Sequence, residues 1–393
     1  MSEKVNVGFI GAGSFISRHH LPTAAKSKIM HIRAIADLNQ ELLNSHAEKY
    51  TPDYIASDYK QLLCDREIDL IVIGTRQDTH AALIVEALDA GKWVWCEKPM
   101  CETPEEEKLI LAAEKRAKGK LAIGFNRRFA PAVQKIRQLM LEKLPKPWII
   151  SYRLQENGGY KVSKTDTFYH QRAHIIYEGC HHLDLANYLM GCSPERVFMS
   201  GTDVDENDIC ILEYADGSRF ILTITTNAGS SMLEKEAMEV FSSGGAVSMR
   251  DFVEVRVRGI KGESDCIFPP ENLPWGELVS RHGYSCWEAL FSKLIEPDMS
   301  PESNLTPISI GQSEKVFGAE INEIGEKVKD LHWLERNFTG DKGWIDALEH
   351  FARCCLENSI PETANGIAGQ KSNELAFALL ESKRSGTPVK INK

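Results

Sequence analysis

The stretch Gly8-Phe9-Ile10-Gly11-Ala12-Gly13-Ser14-Phe15-Ile16 joins a short apolar strand that begins at Val5 to a helix. Its G-x-G core, Gly11 and Gly13, permits a tight turn and lets the backbone approach a pyrophosphate. The N–H groups of Ser14 and Phe15 then open the helix toward the anion. Taken alone, the motif reads equally as a glycine turn between strand and helix. The third glycine position holds Ile16, so the helix must reach the strand by other means. Asp37 shifts the balance. It ends the second strand, 24 residues after Gly13, where an acid binds the adenosine ribose hydroxyls. Its carboxylate repels a 2′-phosphate, and Leu38-Asn39-Gln40 offers no Arg to receive one, which favours NAD over NADP. Arg33, on the strand itself, argues weakly the other way.

Residues 5–124 alternate strand-like and helix-like segments. Strand-like runs at 31–36, 70–73, 92–96 and 120–124 are separated by helical patterns such as 81–90 and 105–118. That rhythm predicts a doubly wound parallel sheet with helices on both faces. Beyond residue 125 consecutive strands follow with few helices between them, at 208–214, 219–226, 237–242 and 252–257, and Ala215-Asp216-Gly217-Ser218 makes a hairpin turn. A largely antiparallel sheet is expected there. The chain therefore reads as α/β, with a Rossmann domain over 1–125 and a second α/β domain over 126–393.

Its 393 residues suit two domains, and 46 Lys+Arg against 56 Asp+Glu leave a net charge of −10. That balance gives nucleic acid no phosphate-neutralising surface. No apolar run approaches the length that spans a bilayer, and the first residues lack a secretion-signal layout. The ten cysteines contain no C-x-x-C pair, so free thiols in a reducing compartment are expected. A cytoplasmic protein working on small molecules is the plain expectation.

Glu97-Lys98-Pro99 leaves the C-terminal end of a Rossmann strand, where open α/β sheets bind ligands. With the glycine turn, Trp93-Val94-Trp95-Cys96-Glu97-Lys98-Pro99-Met100 resembles the Gfo/Idh/MocA oxidoreductases. The likeness extends through Thr75-Arg76-Gln77-Asp78-Thr79-His80, Gly124-Phe125-Asn126-Arg127-Arg128-Phe129, Glu178-Gly179-Cys180-His181-His182-Leu183-Asp184-Leu185 and the tail Gly386-Thr387-Pro388-Val389. Only about 270–340 stands outside it. The resemblance implies a second domain with an open antiparallel sheet and a nicotinamide in the cleft between the domains. It implies Lys98 beside the reacting carbinol, Pro99 as a cis-proline, and Thr75, His80, Glu97 and Asn126 along the cofactor. The family often shows D-x-x-x-H-x-x-D. Here His181 and Asp184 match, whereas the first Asp is replaced by Tyr177 with Glu178 beside it, which leaves the acid–base partner open between those two.

Oxidising a secondary alcohol needs a base for the hydroxyl proton as hydride leaves for the nicotinamide. His181 suits the base and Lys98 the stabiliser of a developing alkoxide. The substrate expected is a sugar, glycoside or cyclitol, met by Arg153, Tyr169, Arg172 and Asp184. Arg172-Ala173-His174 stands where many relatives have a Gly-Gly pair, which predicts a narrower site. Two rivals use the same cofactor: a redox-neutral enzyme that retains NAD, and a non-catalytic sensor. A metal on His170, His174, Glu178, His181, His182 and Asp184 is the competing chemistry, and no metal is the expectation. Alternating apolar residues such as Phe220, Leu222 and Ile224 predict a sheet face that needs covering, hence a homodimer or homotetramer.

Overall fold

A computed structural model describes residues 4–157, 174–202, 207–228, 234–269, 280 and 340–391. The chain forms two compact units: Met1–Phe129 with Ala173–Ser193 and Gly343–Leu380, and Ala130–Arg172 with Pro194–Lys342 and Glu381–Lys393. The first crossing lies close to the expected boundary at residue 125. The division into contiguous 1–125 and 126–393 segments does not match, because two later pieces group with the first unit. Their side chains give the reason. In the helix Trp344–Glu357, Ala347, Leu348, Phe351 and Ala352 complete a core cluster with Phe9, Trp93 and Trp95. From the helix Gly179–Met190, Cys180 joins the cluster on the other face of the sheet.

In the first unit β1 (Val5–Ile10), β2 (Met30–Ala36), β3 (Tyr54–Ala56), β4 (Leu70–Ile73), β5 (Trp93–Cys96) and β6 (Leu121–Ile123) make a parallel sheet of order β3-β2-β1-β4-β5-β6. The order reverses at β1, which places a ligand crevice at the C-terminal ends of β1 and β4. Every residue of β4 and β5 is buried, as strands covered on both faces must be. Local chemistry sets the helix ends. Thr103 caps Pro104–Ala117 in a reciprocal box with Glu106, acidic residues fill the first turn, and Lys118 closes the helix in the left-handed region.

In the second unit β7 (Ile149–Asn157), β8 (Arg196–Gly201), β9 (Asp208–Glu213), β10 (Arg219–Ala228), β11 (Glu236–Ser242), β12 (Gly245–Arg250), β13 (Glu254–Arg258), β14 (Cys266–Ile267) and β15 (Val389–Lys390) form one mixed sheet. Its order is β14-β13-β12-β11-β7-β10-β9-β8-β15, and only the β7–β10 pair is parallel. The hairpin between β9 and β10 closes through Tyr214 and Ser218, with Gly217 at φ +86°. Phe220, Leu222 and Ile224 turn out to face the buried side. Strand alternation puts other apolar residues on the open face: Ile209 is 51% exposed, Phe241 46% and Ile149 39%. Most of the 270–340 segment lies outside the described residues. The described cysteines are all free thiols, and no described helix is long and apolar enough to cross a membrane.

Candidate active site

The glycine turn is built as a dinucleotide turn. Gly11 has φ +86°, and a Cβ there would stand 2.8 Å from the Gly74 carbonyl oxygen. Gly13 and Ser14 are exposed, and nothing stands within 4 Å of a Cβ placed on Gly13. The first helical bond, Ser17 N–H to Gly13 O, comes only after Ser14 and Phe15, whose N–H groups precede the ladder. The Phe15 ring packs aside against His19 and Trp344. Asp37 reaches the turn directly: its Oδ2 accepts from Ala12 N–H at 2.8 Å and its Oδ1 from Asn39 N–H. His46 holds the same residue by its carbonyl, with Nε2 at 3.0 Å from Ala12 O. Arg33 is turned away to Asp65, Asp53 and Glu67. An NAD pyrophosphate and ribose fit this arrangement, with Gly11, Gly13, Ser14, Phe15 and Asp37 as the residues that would hold them.

The missing third glycine is compensated across the sheet. Ile16 is fully buried and fills the space above Gly74, where an added Cβ would lie 2.2 Å from both Ile16 Cγ1 and Cδ1. Helix and strand thus approach closely through the glycine that follows β4. Gly74→Ala should lower stability by about 1–3 kcal/mol through overpacking. Ile16→Ala in the same background should recover part of that loss, measured as non-additive shifts in thermal unfolding.

Thr75 caps the end of β4, its hydroxyl 2.6 Å from that of Thr79. His80 is buried and bridges two loops, with Nδ1 2.8 Å from Pro99 O and Nε2 3.3 Å from Thr75 O. Burial pushes its imidazole below the ordinary histidine range. Asn126, also buried, opens the turn Asn126–Phe129 after β6. Glu97 differs from its expected place along the cofactor. Its carboxylate is folded inward, where Oε1 accepts from His20 Nε2 at 2.6 Å and from Trp95 Nε1 at 3.2 Å. Burial alone would raise its pKa, but the His20 bond outweighs that and holds the carboxylate below its usual value.

Lys98 faces the other way. Its Nζ donates to Tyr177 O at 2.8 Å and to Glu178 Oε2 at 2.6 Å, and the Lys98–Pro99 bond is cis. A break between the short helix His174–Tyr177 and the helix Gly179–Met190 makes this possible. Glu178 lies between the two helices, with φ −111°, and its carboxylate reaches the lysine from there. Tyr177 contributes its backbone carbonyl. Arg127 Nη2 lies 3.5 Å from Glu178 Oε1 on the other side. Burial works against the Lys98 charge, yet the Glu178 carboxylate outweighs it and holds the ammonium above the ordinary lysine value.

His181 completes the cluster. It is 6% exposed, edge-on to Phe125, and its Nδ1 is enclosed with no hydrogen-bond partner among the described residues. Burial first, then the positive charges of Arg127 and Lys98, push its imidazole well below the histidine range. A neutral histidine thus sits beside a charged lysine. His182 points elsewhere, its Nδ1 at 3.2 Å from Glu178 O.

Two expected substrate contacts are otherwise engaged. Asp184 is gripped by Arg128 in a two-point pair, Nε to Oδ2 at 2.8 Å and Nη2 to Oδ1 at 2.5 Å, and is 2% exposed. Both carboxylate oxygens serve to tie the helix Gly179–Met190 to the Asn126–Phe129 turn. Arg153, on β7 of the second unit, pairs with Glu234, which also takes Arg250. Tyr169 and Arg172 lie outside the described residues, as does His170. Among the described residues no group of three His, Cys, Asp or Glu side chains could hold a metal ion. Sequence reasoning missed His20, His46, Arg127 and Arg128 as site builders. Arg127 and Arg128 carried one usable signal, their place just after a Rossmann strand's C-terminal end.

Comparison with known proteins bears on the fold and on the dinucleotide half. Residues 5–125 match the GFO_IDH_MocA family model, described as an oxidoreductase family with an NAD-binding Rossmann fold. The oxidoreductase YrbE of Bacillus subtilis is 30% identical over 243 residues, 58% of this chain and 66% of that protein. Inositol 2-dehydrogenase 2 of Saccharopolyspora erythraea is 26% identical over 57% of this chain and 68% of its own length. The chain thus spans about two thirds of the length of these relatives. An oxidoreductase structure from Agrobacterium radiobacter, solved with NAD+, L-tartaric acid and magnesium, superposes with a TM-score of 0.71 over 98% of both chains. At 16% identity that likeness establishes the shared fold. Residues 5–125 are thus the NAD-binding Rossmann domain of the Gfo/Idh/MocA oxidoreductase family.

Proposed function

We propose that this protein transfers hydride between NAD and a secondary hydroxyl or keto carbon of a sugar, glycoside or cyclitol. The observation that carries the reading is the pairing of a charged Lys98, 2.6 Å from Glu178, with a buried, neutral His181 on the adjoining helix. Bound NAD supplies the hydride acceptor. In oxidation, His181 takes the hydroxyl proton; Nδ1 is enclosed, so Nε2 is the nitrogen left to accept it. Lys98 places an ammonium beside the oxygen as negative charge develops there, and is itself held in direction by Tyr177 O and Glu178. Glu178 keeps Lys98 charged and offers a path for its proton. The cyclitol arm of the substrate class is supported by the inositol dehydrogenase relative.

The test is a screen of myo-inositol, free sugars and glycosides with added NAD. Steady NADH formation with at least one of them is expected. A panel in which none reduces NAD, over a range of pH, would contradict the reading.

A cytoplasmic site of action fits the free buried thiols. The exposed Ile149, Ile209 and Phe241 on one face of the second sheet support a homodimer or homotetramer. Light scattering at micromolar concentration should give a mass of two or four chains; a monomer mass would refute the assembly.

A further inference from the structure

His20 is fully buried at the end of the π-helical turn Ile16–His20, and hydride transfer makes no use of it. Its Nε2–H donates to Glu97 Oε1 at 2.6 Å, and the same oxygen accepts from Trp95 Nε1–H at 3.2 Å. Behind the carboxylate stands Gly124, where even a methyl group would lie 2.7 Å from both oxygens. The Glu97 side chain therefore occupies a slot of fixed size with a directional bond at its mouth. Glu97 follows β5 directly and shares a hydrogen bond with Trp95 two residues back, and Lys98 stands at the bend that comes next, before the cis peptide to Pro99. One residue on from the pinned Glu97, Lys98 reaches Tyr177 O and Glu178. From the far side, His80 Nδ1 holds the next residue through Pro99 O at 2.8 Å.

We propose that His20 is a positioning residue for the reaction: through its hydrogen bond to Glu97 it fixes the direction of Lys98. The inference rests on the reading of Lys98 as the group beside the reacting oxygen. The competing account is packing alone, since the His20 ring meets Trp95 edge-on at 5.8 Å and Phe15 at 5.5 Å. The two accounts part on substitution. Leucine keeps apolar bulk but offers no donor, which leaves the Glu97 carboxylate buried with one partner fewer. Glutamine gives up the ring but can place an N–H near the position of Nε2.

The experiment needs no substrate. Acetylation of lysines by a small N-hydroxysuccinimide ester, followed by mass spectrometry of the Lys98 peptide, reports how firmly Nζ is held. His20→Leu should acetylate Lys98 about tenfold faster than wild type, the order set by losing one charged hydrogen bond. His20→Gln should stay within about twofold of wild type on the same scale. Lys92, whose Nζ is held by Asp65 O and Ile68 O, serves as the internal reference. Global loosening accelerates both lysines together, whereas lost positioning changes only the ratio. If His20→Leu cannot be purified folded, Glu97→Gln weakens the same bond at constant shape and must show the same change in ratio. An unchanged Lys98:Lys92 ratio in His20→Leu, or an equal rise in His20→Gln, overturns the proposal. NADH formation by Lys98→Ala is followed separately: turnover retained there removes the catalytic reading, while turnover lost with an unchanged ratio in His20→Leu removes only the positioning role.

Discussion

Lys98→Ala should lower kcat for polyol oxidation by about 10²- to 10³-fold while NAD affinity stays near that of wild type. The expectation follows from where the ammonium is spent. Lys98 makes its hydrogen bonds to Tyr177 O and Glu178, not to the glycine turn or Asp37. On the proposed role, removing it deletes charge at the reacting oxygen and should leave the dinucleotide half intact. Lys98→Met, which keeps the stem, should lose as much as alanine, since charge rather than bulk is at issue. Lys98→Arg should recover little, because a guanidinium fork cannot occupy the space of an ammonium between one carbonyl and one carboxylate. Calorimetry with NAD and steady-state rates on the same preparations decide the matter. A fall in NAD affinity equal to the fall in kcat would instead place Lys98 in cofactor binding.

The second large effect concerns His181. A general base contributes a factor of about 10² to 10⁴, so in the proposed role His181→Asn should cost that much in kcat. The pH dependence gives a sharper signature. Oxidation requires the imidazole unprotonated, and burial with two neighbouring cations depresses its pKa well below 6.5. The rate should thus stay flat as pH falls through the ordinary histidine range, and drop only below it. Arg127→Gln removes one of those cations, which should move the acid limb of kcat upward in pH. The reverse reaction, which needs the proton on His181, should be favoured on the acid side of the same limb. Stability shares the sign: the unfolded chain protonates His181 and His80 near 6.5, the folded chain resists it, and stability is lost as pH falls below that value. Unfolding curves at each pH separate this loss from the catalytic limb. An acid limb at the ordinary histidine value, unmoved by Arg127→Gln, would count against the buried base.

The Rossmann half of the molecule was legible because its signals are local. Apolar runs buried on both faces mark β4 and β5, and a glycine turn followed by Asp37 marks the cofactor crevice. The hairpin at Ala215–Ser218 was readable for the same reason. What escaped depends on contacts between residues far apart in sequence. Nothing near Ile16 announces that Gly74 makes room for it. Nothing in Asp184 shows that Arg128, 56 residues away, takes both its oxygens. That Glu178 brings its carboxylate to Lys98 while Tyr177 brings only its carbonyl is a contact a Tyr-Glu-Gly-Cys run does not encode by periodicity. The later segments of the first unit were misassigned because chain order suggests contiguous domains, whereas Phe351 and Leu348 pack under Trp93 and Trp95.

The most direct test of the reacting centre is a single turnover. Wild type, Lys98→Ala and His181→Asn, each saturated with NAD by calorimetric titration, are mixed with the best polyol from the screen, and nicotinamide reduction is followed by absorbance. Prompt NADH formation in wild type, slowed by at least about 10²-fold in both variants at equal NAD occupancy, is the predicted result. NADH formation in Lys98→Ala at the wild-type rate would contradict the account.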